Sequence, residues 1–319
     1  MTHFLLRRIA SAFLLLLLVS VIIFIVVRLL PSDPVITRLG AVAANTSEDL
    51  VEQLRSELGL DEPIYVQYLE WIGGIFQGDF GLSFGSQYPV SSLIAERLPA
   101  TAQLTSAAIL VALLIAVPAS VAAAIKPDGL FDRFASAIVT IGMAIPQFWL
   151  GIMFVIVFAV GLEWLPARGY VPLSQDPIMN AKLLLMPALA LGITIAAPLM
   201  RFLRSSLAEV TSALYMRTAE GKGVPWRTAV VKHALPNALI TTLTTLGMLI
   251  GQLIGGVVLI EYIFGWPGLG SLTVSATTSR DYPVLQGVVL LLSACFVLIN
   301  LLVDVMYGFL NPRMREDAS

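Results

Sequence analysis

The sequence predicts an all-α membrane protein with about six transmembrane helices, and three observations carry that prediction. Apolar residues fill 57% of the 319 positions and charged residues only 13%, against the roughly 25% charged residues of a water-facing fold. The mean hydropathy is +0.87. Apolar runs of about 20 residues, the length a helix needs to cross about 30 Å of hydrocarbon, recur at 9–30, 100–125, 134–162, 183–200, 238–264 and 284–310. The net charge of −2 gives no reason to expect nucleic acid as a partner. The single cysteine, Cys295, lies in an apolar run, so no intrachain disulfide framework exists.

The first element, residues 1–30, holds the N-terminus and the first span. A cleaved signal peptide is its rival reading: Arg7 and Arg8 form a positive n-region, and Ala41-Val42-Ala43 has the small-x-small form of a cleavage site. The apolar run is longer than the usual 7–15 residues of a signal core. The motif also lies well past its end, beyond Pro31, Asp33, Pro34 and Arg38. A retained span is expected.

Residues 31–99 form a segment with ten acidic residues against Arg38, Arg55 and Arg97. Ser47 is a candidate N-cap for a short helix over 48–55 whose first turn is acidic, and Gly59 stops it. A second amphipathic stretch, 65–76, carries Tyr65, Tyr68, Leu69, Trp71, Ile72 and Phe76. Aromatics at that density suit an interfacial belt or a lid packed over the spans.

The remaining five spans make a core over 100–310. Proline occurs in several of them (Pro118, Pro146, Pro187, Pro198), which membrane helices tolerate because neighbours satisfy the freed carbonyls. Residues 201–236 form the most basic loop: Arg201, Arg204, Arg217, Lys222, Arg227 and Lys232 face only Glu209 and Glu220. The positive-inside rule puts that loop in the cytoplasm. Six spans then leave both termini cytoplasmic, in agreement with Arg7, Arg8 and with Arg313 and Arg315 of the tail 311–319. Within the loop, the stretch beginning at Tyr215 reads as a helix with small residues on one side, stopped by Gly221 and Gly223. A second helix runs from Pro225, a good first-turn residue, to Pro236. Basic charge alone is a topology signal.

Gly247, Gly251 and Gly255 recur every four residues on the fifth span, which suits close helix packing or pore lining. Thr241, Thr242, Thr244, Thr245 and Gln252 are further pathway candidates, although threonine also bonds to its own helix. Glu261 and Asp304 are ionisable groups near span ends. Such groups are functional candidates, with structural capping or packing as the alternative; Glu261 is the candidate for a substrate amine.

Enzymatic classes find no support. The histidines are His3 and His233, neither in a His-Glu-x-x-His pair, and no Gly-x-Ser-x-Gly elbow occurs. No Gly-x-x-x-x-Gly-Lys-Ser/Thr phosphate loop exists, since Gly221-Lys222 is followed by Gly223. An ion-coupled secondary transporter or a channel is the alternative. Such carriers often show inverted repeats and a midplane charge, and neither is visible.

The stretch from Tyr215 to Pro236 resembles the EAA loop of binding-protein-dependent ABC importers: Glu-Ala-Ala, three residues, Gly, nine residues, then Ile-x-Leu-Pro. The glycine matches Gly223 and the closing pair matches Leu235 and Pro236, with the spacing intact. Arg217-Thr218-Ala219 stands in place of Glu-Ala-Ala, and His233 in place of Ile. Arg-Thr-Ala, Lys-Gly and His-Ala-Leu are how the dipeptide, oligopeptide and nickel branch writes this loop. Gly78-Asp79-Phe80-Gly81, Glu96-Arg97-Leu98-Pro99, Ile145-Pro146-Gln147-Phe148-Trp149, Trp266-Pro267-Gly268 and Arg280-Asp281-Tyr282-Pro283 are similar to the same branch in order and spacing.

The resemblance implies a first-permease subunit with the type I ABC importer permease fold, in the bacterial inner membrane, carrying peptides or related small solutes by alternating access. It implies Tyr215, Arg217, Thr218, Ala219, Glu220, Gly221, Lys222, Gly223, Leu235 and Pro236 as the residues that couple to an ATPase. Partners implied are a second permease, two cytoplasmic ATPase subunits or domains and an extracytoplasmic binding protein, besides lipid. No cofactor is implied on this chain; ATP and magnesium belong to the partners.

Overall fold

The computed structural model describes residues 2–29, 34–39, 47–57, 59–127 and 129–310. The cleavage-type motif at 41–43, with Pro31 and Asp33, and the tail at 311–319 with Arg313 and Arg315 lie outside them. Among the described residues the structure is helical, with one isolated antiparallel bridge between Leu82 and Pro89. Among the described residues five helices are long and apolar enough to cross a membrane, or six if one bent pair counts as a span. The chain divides into two compact units: residues up to Ile9, Ala102–Trp266 and from Leu298 onward in the first, and Ala10–Thr101 with Pro267–Val297 in the second.

The elements are α1 (Thr2–Arg28), α2 (Pro34–Leu39), α3 (Glu48–Glu57), α4 (Ile64–Phe76), α5 (Val90–Ile125), α6 (Leu130–Ala144) and α7 (Gln147–Phe154). They continue as α8 (Pro177–Thr211), α9 (Leu214–Gly221), α10 (Trp226–Ala229), α11 (Leu235–Phe264), α12 (Leu269–Ser279) and α13 (Tyr282–Leu310). Helix α5 starts ten residues before the apolar run at 100, because its first turns (Ser91, Ser92, Glu96, Arg97) are polar but good enough helix formers to precede the bilayer. Helix α8 runs unbroken for 35 residues through Pro187 and Pro198, extending the run at 183–200 at both ends.

The third run corrects a sequence expectation. Residues 134–162 are not one straight span: α6 and α7, with the π-helical segment Val155–Gly161 after it, meet at an angle of 101°. Pro146 lacks an N–H and drives Ile145 into the β region (φ −85°, ψ 121°). Helix α6 has 15 residues, about 22 Å of helix, so it is too short to cross about 30 Å of hydrocarbon alone.

The first unit is built on α8. Its Leu183, Met186, Leu191, Leu199, Leu203 and Leu207 are buried, and α6, α7 and α11 pack on it. Close approaches use glycine. A Cβ at Gly192 would come within 2.7 Å of Val111 Cβ on α5. One at Gly151 would lie 3.2 Å from Ile260 and Phe264 on α11. Polar ties fix the helix pairs: Gln103 Nε2 donates to Asn180 Oδ1 at 2.6 Å, and Asn180 Nδ2 donates to the Val171 carbonyl at 2.6 Å. Asp176 caps α8, accepting from the N–H groups of Ile178 and Met179.

In the second unit, Phe24 of α1 meets the rings of Tyr68 and Trp71 at 5.5 and 5.7 Å. Ser20 Oγ lies 2.8 Å from the Tyr68 hydroxyl. One face of α4 therefore packs on α1, while Tyr65, Leu69 and Phe76 stay exposed. Ser47 sits at the N-cap position of α3, and its carbonyl accepts from Val51. At the other end Gly59 (φ +63°) closes a Schellman turn: Leu60 N–H reaches the Arg55 carbonyl and Gly59 N–H the Ser56 carbonyl. The apolar core of this unit comprises Val90, Ile94, Leu269, Ala276, Val284 and Val288. The Asp281 carboxylate gathers Ser83 Oγ (2.5 Å) and the N–H groups of Phe84 (3.1 Å) and Gly85 (3.2 Å), which pins the loop before α5 to the start of α13.

Candidate functional site

The loop singled out by the sequence folds into a compact turn in the first unit. Helix α9 is short, eight residues, and could not persist alone. Met216 anchors it: fully buried, it joins Leu203, Leu207, Ala229, Ala234 and Ala238 in one apolar cluster. Burying one methionine side chain is worth about 1.5–3 kcal/mol. The helix ends in a second Schellman turn. Gly223 (φ +81°) donates to the Glu220 carbonyl, and Val224 donates to that of Ala219 while packing on the same cluster. A Cβ on Gly223 would meet nothing within 4 Å, so its left-handed backbone, not crowding, is what requires glycine.

With Met216 inward, Tyr215, Arg217, Thr218, Glu220, Gly221, Lys222 and Gly223 are exposed and Ala219 is half-buried. Leu214 is exposed beside them at 78%, an apolar side chain on an otherwise charged surface. Thr218 Oγ1 bonds back to the Leu214 carbonyl at 3.1 Å.

The expected second helix does not end at Pro236. Residues Trp226–Phe264 form one 39-residue apolar helix, passing through a π-helical segment at Val230–Ala234. The wider turn lies where the Pro236 ring would otherwise meet the Lys232 carbonyl four residues back. Leu235 is half-buried against the Met216 cluster, and Pro236 is exposed.

The candidates on α11 separate. Gly247 is buried, and a Cβ there would lie 2.6 Å from Val303 of α13. Gly251 is buried, whereas Gly255 is exposed with nothing within 4 Å of its would-be Cβ. Gly256, absent from the sequence expectation, is the glycine that Gln147 of α7 crowds. Thr241 Oγ1 pairs with Ser206 on α8 at 2.6 Å, and Thr242 is buried on the Ala238 carbonyl. Thr245 is half-buried and Gln252 exposed. Glu261 is fully buried within the helix bundle. Asp304 pairs with Arg8 of α1 at 2.6 Å.

Sequence reasoning missed one further tie between helices. Arg204 on α8 holds Asp132 on α6 in a fork, Nε donating to Oδ1 at 2.5 Å and Nη2 to Oδ2 at 2.7 Å. The Asp132 side chain is 2% exposed and that of Arg204 is 43% exposed. Their separation of 72 positions leaves no local signal to read. Among the described residues no cluster of three or more His, Cys, Asp or Glu could hold a metal ion.

Residues 116–316 match the family described as Binding-protein-dependent transport system inner membrane component. Residues 1–105 match its N-terminal companion family. A protein of Brucella abortus (strain 2308) named as a peptide transport system permease is 42% identical over 317 residues, 99% of this chain and 100% of that protein. The glutathione transport system permease protein GsiC of Escherichia coli (strain K12) is 39% identical over 315 residues, 99% of each chain. These matches span the basic turn, the bent helix pair and the glycine-packed α11 together. The chain therefore belongs to the binding-protein-dependent transport system inner membrane components, as the multi-pass permease subunit of an ABC importer.

Proposed function

We propose that this permease carries short peptides or related small solutes across the bacterial inner membrane, with both termini in the cytoplasm. The exposed face of α9 is the seat for a cytoplasmic ATPase. One observation carries that reading: Met216 fixes α9 to the cluster that also contains α8 and the start of the α11 helix, so force on the turn is delivered to two long helices at once. Leu214 and Tyr215 supply apolar contact. Arg217, Glu220 and Lys222 supply charges that set register more than affinity. The relatives named for peptides and glutathione support the substrate class.

ATP and magnesium are held by the partner ATPases, and catalysis is theirs; this chain brings no phosphate loop and no catalytic motif. A second permease completes the pathway, and an extracytoplasmic binding protein delivers the solute. When the ATPases close, α9 moves and tilts α8 and α11, switching the cavity between inward and outward access. Gln252 and Gly255, exposed on α11, are the candidates for pathway lining or contact with the second permease.

The test is to replace Leu214, Tyr215 and Arg217 together with Ala, Ala and Glu. ATPase co-purification and ATP-dependent uptake of dialanine by proteoliposomes are then measured. Loss of both, with the permease still folded, is expected. Unchanged assembly and uptake, or labelling that places 215–225 outside the cell, refutes the reading.

A further inference from the structure

The second unit holds a cavity of about 360 Å3 that coupling does not use. Arg28 at the end of α1, Gln67, Glu70 and Trp71 of α4, and Tyr282 and Gln286 of α13 line it. Two polar atoms on these residues are buried without a hydrogen-bond partner: Arg28 Nε and Gln67 Oε1. Such atoms are rare and call for an explanation. The Arg28 guanidinium lies over the Phe24 ring, 5.2 Å from its centroid. Among the described residues it makes no ion pair, although Glu70 lines the same space. The Gln67 amide cannot be turned round. Its Nε2 already donates to the carbonyls of Leu60 (3.2 Å) and Glu62 (2.7 Å), so Oε1 is the unmet acceptor.

The cavity thus offers a cationic donor, a fixed neutral acceptor, a carboxylate and aromatic walls. A single water needs only about 10–15 Å3, so the space exceeds what filling two polar atoms requires. We propose that it binds a zwitterion of small-molecule size. The anionic oxygens lie on Arg28, the ammonium lies between Gln67 Oε1 and Glu70, and the apolar remainder lies against Trp71 and Tyr282. The importer reading places this cavity on the extracytoplasmic side, where two sources share the chemistry: a short peptide awaiting transport and the headgroup of an aminophospholipid. The peptide source rests on that reading; the zwitterion chemistry does not.

The full-length chain is placed in nanodiscs of phosphatidylglycerol alone, which lacks an ammonium, and titrated with dialanine by calorimetry. Saturable binding is expected for the peptide source. Arg28→Gln and Gln67→Leu each weaken it about tenfold or more, the effect of losing a hydrogen bond to a charged group. N-acetyl-dialanine and dialanine amide, each lacking one charge, bind more weakly too. Arg28→Lys, which keeps the charge, gives an intermediate affinity and controls for folding. In nanodiscs containing phosphatidylethanolamine, native mass spectrometry showing that lipid retained by the wild type and lost in Arg28→Gln supports the headgroup source. Absence of both ligands, or binding unchanged in Arg28→Gln and Gln67→Leu, overturns the proposal. ATP-dependent uptake by the complete wild-type transporter separates the readings: uptake without zwitterion binding refutes the cavity alone, and its absence refutes the importer reading.

Discussion

Replacing Gly247 with alanine probes how closely α11 and α13 approach. A Cβ at Gly247 would lie 2.6 and 2.9 Å from the two γ-carbons of Val303. Carbon contacts settle at about 3.5–4.0 Å, so the helices must separate locally by about 1 Å. Overpacking of this kind costs about 1–3 kcal/mol. Gly255, about two turns further along the same helix, meets nothing within 4 Å. There, Gly255→Ala is neutral or stabilising by up to about 1 kcal/mol through helix propensity. Val303→Ala removes both opposing methyls and should restore most of the loss in the Gly247→Ala background, a coupling of about 0.5–3 kcal/mol. The assay is equilibrium unfolding of the purified chain in detergent micelles for the two single alanine variants, Val303→Ala and the double variant. Equal losses at Gly247 and Gly255, or no recovery in the double variant, refute the packing argument.

The Asp132–Arg204 pair predicts an asymmetry. Arg204→Met deprives a carboxylate that is 2% exposed of its guanidinium and costs about 3–5 kcal/mol. Asp132→Asn leaves an arginine that is 43% exposed to the solvent and costs about 1–2 kcal/mol; the same unfolding assay checks the order, and the reverse order refutes it. Met216→Ala empties the anchor of α9 at a cost of about 2–5 kcal/mol. ATPase co-purification should fall although no surface residue changes, and undiminished co-purification would show that α9 is seated some other way.

The legible part of this protein follows from lengths and local spacings. A hydrocarbon layer of about 30 Å sets the length of every span, so the six apolar runs show without any knowledge of packing. The turn at α9 was readable for a similar reason: Gly221, Gly223 and Pro225 act within a few residues of themselves, and Gly223 does adopt φ +81°. The same local reading misjudged Pro146. Proline in a membrane helix is tolerated only if neighbours accept the kink, and here the chain turns by 101° instead. At Pro236 the outcome was opposite. A π-helical segment at Val230–Ala234 carries the helix through.

The glycine row shows why the site was harder than the spans. A four-residue repeat on a helix of 3.6 residues per turn rotates by roughly 40° at each step. Gly255 is therefore turned roughly 80° from Gly247 and faces open space. Gly256 is turned roughly 180° and meets Gln147 on the far side of α11. Which side of a helix is covered depends on neighbours that the helix's own sequence does not encode.

The sequence by itself determined the helical membrane class, the apolar spans, the basic turn and its stop signals, since each arises from forces acting over a turn or two or from the thickness of the bilayer. Tertiary structure decided that Met216 points inward, that Asp132 meets Arg204, that Glu261 is buried, and that Arg28 and Gln67 open onto one cavity. Those outcomes depend on side chains tens of residues apart, brought together only when whole helices pack.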